Sequence, residues 1–185
     1  MPLPPPGTSL YFIALIPPSP FFEEAHALKE LFRDQYKSKA SLNSPPHITL
    51  HMPFQWKEPK EEKLLTALRV FSSGKKSFAL SFNDFSCFAP RVIYMDIKPS
   101  ESLTVLQQEL HRFCKVELNL FNAQYRDLPF HPHLTLAFRD LKKDQFPKAW
   151  QEFKEKKFSG EFKVDKITLL KHDGKHWKPF HDFHF

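Results

Sequence analysis

Apolar positions along the chain follow two rhythms, one of period two and one near 3.6. Residues 10–16 form an unbroken β-branched and aromatic run stopped by Pro17 and Pro18, which predicts a buried strand. From Phe21 the apolar residues fall at 21, 22, 25, 28, 31 and 32, one face of a helix reaching Tyr36. Ser19 is its expected N-cap and Pro20 its first helical position. A loop over 38–46 leads to residues 47–52, which alternate as a strand. Residues 61–71 predict a helix through Leu64, Leu65, Leu68 and Phe71. Residues 78–88 alternate at Phe78, Leu80 and Phe82 and slip at Phe85, a strand with a bulge.

The pattern then restarts. Residues 91–97 predict a strand ended by Pro99, residues 102–116 a helix, residues 133–138 a strand and residues 144–156 a helix. Residues 162–170 predict one more strand, and Asp173-Gly174 a hairpin turn into a last strand over 176–183. Strand, helix, His-containing strand, helix, strand thus occurs twice. The expectation is one domain over 1–185, built from a first lobe-forming repeat over 9–89 and a second over 90–185 with a C-terminal hairpin. The fold class is α+β: a bilobal, pseudo-two-fold duplicated fold, with antiparallel sheets lining a central cleft and helices outside. Strand and helix alternate, so a parallel three-layer fold competes. Short strands with one polar face favour the antiparallel form.

Composition narrows the function. The chain has 185 residues, 41% hydrophobic and 26% charged, which suits a globular domain that needs neither disulfides nor a structural metal. Its 4 glycines are too scattered for a dinucleotide fingerprint or a phosphate-cradling P-loop, which excludes both kinds of nucleotide chemistry. A net charge of +6 favours an anionic partner, although no long Lys/Arg run exists. Cys87 and Cys114 lie in apolar runs and read as buried free thiols of a reducing compartment. Residues 10–16 are too short for a membrane span and lack the flanks of a signal peptide, so a cytoplasmic monomer with no membrane contact is expected.

The chemistry is carried by one word that occurs twice: His47-Ile48-Thr49-Leu50 and His133-Leu134-Thr135-Leu136. Chance predicts roughly 0.05 copies of such a word in a chain of this composition. Alternate side chains of a strand share a face, so His47 and Thr49 point one way while Ile48 and Leu50 enter the core. The same holds for His133 and Thr135. A pseudo-two-fold then gathers two imidazoles and two hydroxyls around one small volume. One neutral histidine can take a proton from a nucleophile while a protonated one gives a proton to a leaving oxygen. The hydroxyls can hold phosphate oxygens as charge develops. The rate should peak between two apparent pKa values near the ordinary 6.5 of histidine.

In this duplicated setting the word resembles the 2H phosphoesterase superfamily, which includes bacterial 2′-5′ RNA ligase-like proteins and cyclic nucleotide phosphodiesterases. The resemblance implies a bilobal α+β fold and phosphodiester chemistry without metal or cofactor. The substrates it implies are RNA ends, 2′,3′-cyclic phosphates, 2′-5′ linkages or cyclic ADP-ribose-type phosphates. His47 and His133 match the catalytic pair, and Thr49 and Thr135 the phosphate-binding hydroxyls. Many bacterial relatives carry a basic residue where this chain has Phe138, with Arg139 next.

Further candidates stand near these words. Strand counting puts Arg139 on the face of His133 and Thr135, where it can bind substrate or pair with Asp140 in solvent. The same counting puts His51 on the face of His47 and Thr49, as a substrate-binding residue. Arg91, Tyr125 and Arg126 can reach a phosphate or stack a base, and one or two rim aromatics can do the same. His131 and His133 stand two apart, while His172, His176, His181 and His184 crowd the C-terminus. A zinc site is the competing reading, but no Cys or carboxylate cluster accompanies them. A binding module for nucleotides or RNA ends is the remaining alternative.

Overall fold

The computed structural model describes residues 4–121 and 129–185. Tyr125 and Arg126 lie outside them. In chain order the elements are β1 (Thr8–Leu15), α1 (Phe21–Tyr36), β2 (Ile48–Lys57), α2 (Glu61–Ser72), β3 (Phe78–Phe88), β4 (Val92–Ile97), α3 (Glu101–Glu117), β5 (His133–Ala137), α4 (Phe146–Phe153), β6 (Ser159–Val164), β7 (Lys166–His172) and β8 (Trp177–His184). Ser100 caps α3 by accepting the Leu103 N–H at 3.2 Å. Its expected counterpart Ser19 does not cap α1; its hydroxyl turns to the Glu23 carboxylate at 2.8 Å, and Pro20 stands at the N-cap.

The strands form one eight-stranded sheet in the order β6-β3-β4-β5-β2-β1-β7-β8. Its strand pairs are antiparallel, which removes the parallel competitor. The two halves, β6-β3-β4-β5 and β2-β1-β7-β8, meet at β2 and β5 through the single register pair Ile48–Leu134. The halves do not coincide with the sequence repeats 9–89 and 90–185. β3 closes the first repeat yet pairs with β4 of the second, while β7 from the second pairs with β1 of the first. The helices cross over as well, with α1 packing against β5 and α3 against β2.

The expected strand over 162–170 is two strands, β6 and β7, divided at Asp165. β6 is one edge of the sheet and β7 the strand next to the other edge, yet one residue separates them. Two residue steps span at most about 7 Å, so the sheet curls until its ends meet at Asp165. One face carries the main core, including Tyr11, Ile13, Leu15, Ile48, Leu50, Leu134 and Leu136, with Phe32 of α1 and Leu110 of α3 above it. A smaller cluster of Phe12, Ala14 and Leu170, with Ile16 and Trp177 against it, lies apart from that core. No helix among the described residues is long and apolar enough to cross a membrane.

Candidate active site

The pair Ile48–Leu134 sets the geometry of the site. One residue outward on each antiparallel strand, His47 stands opposite Thr135, and Thr49 opposite His133. Directly opposed side chains lie about 5 Å apart, and diagonal ones about 7–8 Å. The diagonal here joins the two histidines, which leaves room between the rings for one tetrahedral group. Ile48, Leu50, Leu134 and Leu136 are fully buried, while His47, Thr49, His133 and Thr135 are half-buried, as alternation requires. A cleft of about 280 Å³ runs along His47, Thr49 and Thr135 and is further lined by Phe12, Trp177, Phe138 and Arg139.

Each histidine is braced in the same way. His47 Nδ1 lies 2.7 Å from the Pro45 carbonyl, and His133 Nδ1 lies 2.8 Å from the His131 carbonyl. A carbonyl only accepts, so both rings carry the proton on Nδ1 and leave the Nε2 lone pair free. In both copies a proline, Pro46 or Pro132, stands between the histidine and the residue that supplies the carbonyl. Proline immediately before each histidine is a readable part of the repeated word.

Aromatic packing dries both rings. Phe12 lies 4.9 Å from His47 between centroids, while Tyr94 and Phe88 lie 5.0 and 5.3 Å from His133. Burial, reinforced by the Lys29 ammonium, pushes His47 down to about 3, against the pull of its Pro45 hydrogen bond and with a small further push from His133. Burial also lowers His133, opposed by its hydrogen bond to His131 and, more weakly, by the Asp96 carboxylate. Both rings are thus shifted below the ordinary histidine value, His47 far more than the expectation of values near 6.5 allowed.

The other sequence candidates divide. Arg139 does line the cleft, but not by strand counting: β5 ends at Ala137, and Arg139 follows in a turn at φ 27°, its guanidinium 5.0 Å from the Phe138 ring centroid. Asp140 is not its solvent partner. That carboxylate accepts from Ser38 Oγ, Lys39 N and Ala40 N, each at 2.8 Å. His51 is on the wrong face. Between Ala14–Thr49 and Ile13–His51, β2 advances two residues while β1 advances one, a bulge that turns Leu50 and His51 both toward the helices. His51 is 0% exposed and packs 5.2 Å from His111 of α3. Arg91 is exposed in the turn between β3 and β4 and does not line the cleft.

The C-terminal histidines disperse: His172 packs on Trp177 and His181 on Phe183. His131 turns to Tyr94 Oη at 3.0 Å and Asp96 at 3.3 Å. Among the described residues no group of three or more His, Cys, Asp or Glu is arranged to hold a metal ion. Of the two thiols, Cys114 is buried and Cys87 only half-buried.

Sequence reasoning missed the loop that walls the cleft on the His47 side, with Ser41, Asn43 and Ser44 on its lining, and Lys29 beneath it. The signal for Lys29 was its position. Ala25, Lys29, Phe32 and Tyr36 form the buried stripe of α1, and a lysine inside an apolar stripe calls for acceptors.

The duplicated His–Thr pair sits at the two central strands of a curled antiparallel sheet, and a profile of the 2′-5′ RNA ligase superfamily, the 2H phosphoesterases, matches residues 17–176. The chain belongs to that superfamily. It is 30% identical over 176 residues to an Oceanobacillus iheyensis protein named as a phosphoesterase, covering 94% of this chain and 96% of the relative. A Bacillus cytotoxicus protein named in the same way is 28% identical over 175 residues, covering 93% and 94%. Among solved structures, TT0787 of Thermus thermophilus superposes with a TM-score of 0.68 at 19% identity, covering 95% of this chain and 97% of its own. Escherichia coli LigT, crystallised with 3′-AMP, gives 0.64 at 18% identity, covering 96% and 98%. These two likenesses show the fold.

Proposed function

We propose that this protein is a phosphodiesterase that acts on a 2′,3′-cyclic phosphate or a 2′-5′ phosphodiester, at RNA ends or in small nucleotides, through paired histidines and without a metal. The observation that carries this reading is the matched brace, Nδ1 of His47 and of His133 each on the carbonyl two residues back. It leaves an Nε2 lone pair of the same tautomer on each ring of the diagonal pair, the arrangement a proton relay over a phosphate needs. The 3′-AMP bound by LigT agrees with a nucleotide phosphate as ligand.

His47 is the base in hydrolysis. Its surroundings, burial and the nearby Lys29 ammonium, keep it unprotonated. His133 has Asp96 near it and carries the proton to be given up. A phosphate anion seated beside His133 raises the pKa of that ring, which takes its second proton from solvent as the substrate binds. Water attacks phosphorus as His47 Nε2 takes its proton. The bond from phosphorus to one ribose oxygen breaks, and His133 protonates that oxygen. Thr49 and Thr135 donate to the non-bridging oxygens. Joining of a 2′-5′ bond, the reaction in the superfamily's name, is the same exchange with a 5′-hydroxyl in place of water.

The test is a panel of 2′,3′-cyclic nucleotides and 2′-5′-linked dinucleotides, with and without EDTA, run beside His47→Ala and His133→Ala. Wild-type turnover unaffected by EDTA is expected, with each variant folded and slower by about 10²- to 10⁴-fold. More than a third of the wild-type rate in either variant overturns the paired mechanism. Activity lost on chelation and restored by zinc or manganese overturns its metal-free form.

A further inference from the structure

Lys29 is 1% exposed, and among the described residues it is the only buried Lys, Arg, Asp or Glu. It answers its burial with main-chain acceptors. Nζ donates to the carbonyls of Ser41 at 3.1 Å, Ser44 at 3.1 Å and Pro45 at 3.2 Å, one for each N–H of the ammonium form, while burial pulls the amine down to about 7. The Pro45 carbonyl is thus used twice, by Lys29 Nζ and by His47 Nδ1. A carbonyl has two lone pairs and can take both. The loop between α1 and β2 is therefore fixed at both ends: Asp140 holds Ser38, Lys39 and Ala40, and Lys29 holds Ser41, Ser44 and Pro45. At His133 the corresponding carbonyl belongs to His131, whose own side chain meets Tyr94 Oη at 3.0 Å with Asp96 3.3 Å away.

We infer that Lys29 is a positioning residue for His47: by clamping the Pro45 carbonyl it sets the orientation and tautomer of that imidazole. The inference rests on the paired-histidine reading for its catalytic consequence, but its structural part does not. An oriented acceptor at Nδ1 is what keeps the proton there and the lone pair on Nε2. Released from the clamp, the carbonyl moves, and the ring shifts toward the Nε2–H form that a free histidine prefers in water. A base with its proton on Nε2 cannot take another from the nucleophile. His133, braced by other residues, stays as it is.

The experiment reads ring-nitrogen NMR shifts of both histidines in Lys29→Met and Lys29→Gln, with kinetics on the same samples. Methionine keeps the stem and removes every donor; glutamine keeps a polar head but ends one bond short. The expected result is His47 moving toward the Nε2–H form while His133 retains Nδ1–H. On a cyclic phosphodiester kcat falls about 10- to 100-fold and KM changes by less than about 3-fold. A folded variant that keeps the wild-type His47 tautomer and kcat overturns the inference. So does failure of both variants to fold, which assigns Lys29 to the fold alone. The NMR measurement needs no substrate. A wild type that turns over no phosphodiester therefore sinks the functional reading while still deciding the role of Lys29.

Discussion

Pro46 and Pro132 act before any substrate arrives. A residue that precedes proline is driven to extended backbone, which holds the Pro45 and His131 carbonyls within reach of the imidazole two positions on. The same word places each threonine two residues beyond its histidine, on the strand face that its partner histidine also faces. Both threonines are half-buried on the cleft, where the proposed role of their hydroxyls is to donate to phosphate oxygens. Thr49→Val and Thr135→Val keep the β-branched shape and remove only the donor. Each is expected to lower the single-turnover rate by about 10²- to 10³-fold with an unchanged melting temperature. A variant that melts lower but reacts at the wild-type rate shows instead that the hydroxyl belongs to the architecture.

Among the elements, β2 differs most from its sequence pattern. Its bulge at Leu50 sends His51 into the layer between sheet and helices, beside His111. Burial lowers both rings, His51 to about 4, and among the described residues His51 Nε2 has no hydrogen-bond partner. The sign follows from linkage. An unfolded histidine titrates near 6.5, so between that value and about 4 the unfolded chain binds a proton the folded one refuses. The contribution of His51 is complete above pH 6.5 and is lost as pH falls toward 4. His51→Leu is expected to flatten the decline in melting temperature from pH 6.5 to 4.5 without changing turnover at pH 7. An unaltered acid limb places the titration elsewhere. Strand alternation exposed the duplicated word and most elements, because half-buried strands and amphipathic helices print their burial on the sequence. It misplaced His51, because one extra residue inverts every later position. It missed Lys29, although its place in the buried stripe of α1 was readable, because the acceptors that satisfy it are main-chain carbonyls of a later loop. It read β6 and β7 as one strand, because Phe162 and Val164 run on into Ile167, Leu169 and Leu170 and only their partners at opposite ends of the sheet tell them apart.

For the whole molecule, crossed packing makes each half depend on the other. Phe21 of α1 lies against Phe82, Phe158 and Phe162 of the opposite half, its ring over Gly160 on the edge strand β6. A Cβ at residue 160 would overlap that half-buried ring, which packs among Phe82, Phe158 and Phe162 and would have to shift. Gly160→Ala is expected to cost about 1–3 kcal/mol, a fall of roughly 2–4 °C in melting temperature per kcal/mol, seen in a thermal melt. An unshifted melt shows that Phe21 does not seat α1 against this edge.

The exchange of strands between repeats also sets a timetable for synthesis. Ile13 of β1 pairs with Leu169 of β7, so one partner leaves the ribosome long before the other is made. At roughly 5–20 residues per second the interval is about 8–30 s. Throughout it, β1 has β2 on one side and bare amide and carbonyl groups on the other. An apolar strand with an open edge is a template for the wrong neighbour. The nascent chain is most exposed to misassembly in that interval, and a message truncated before β7 yields a product that keeps this edge open permanently.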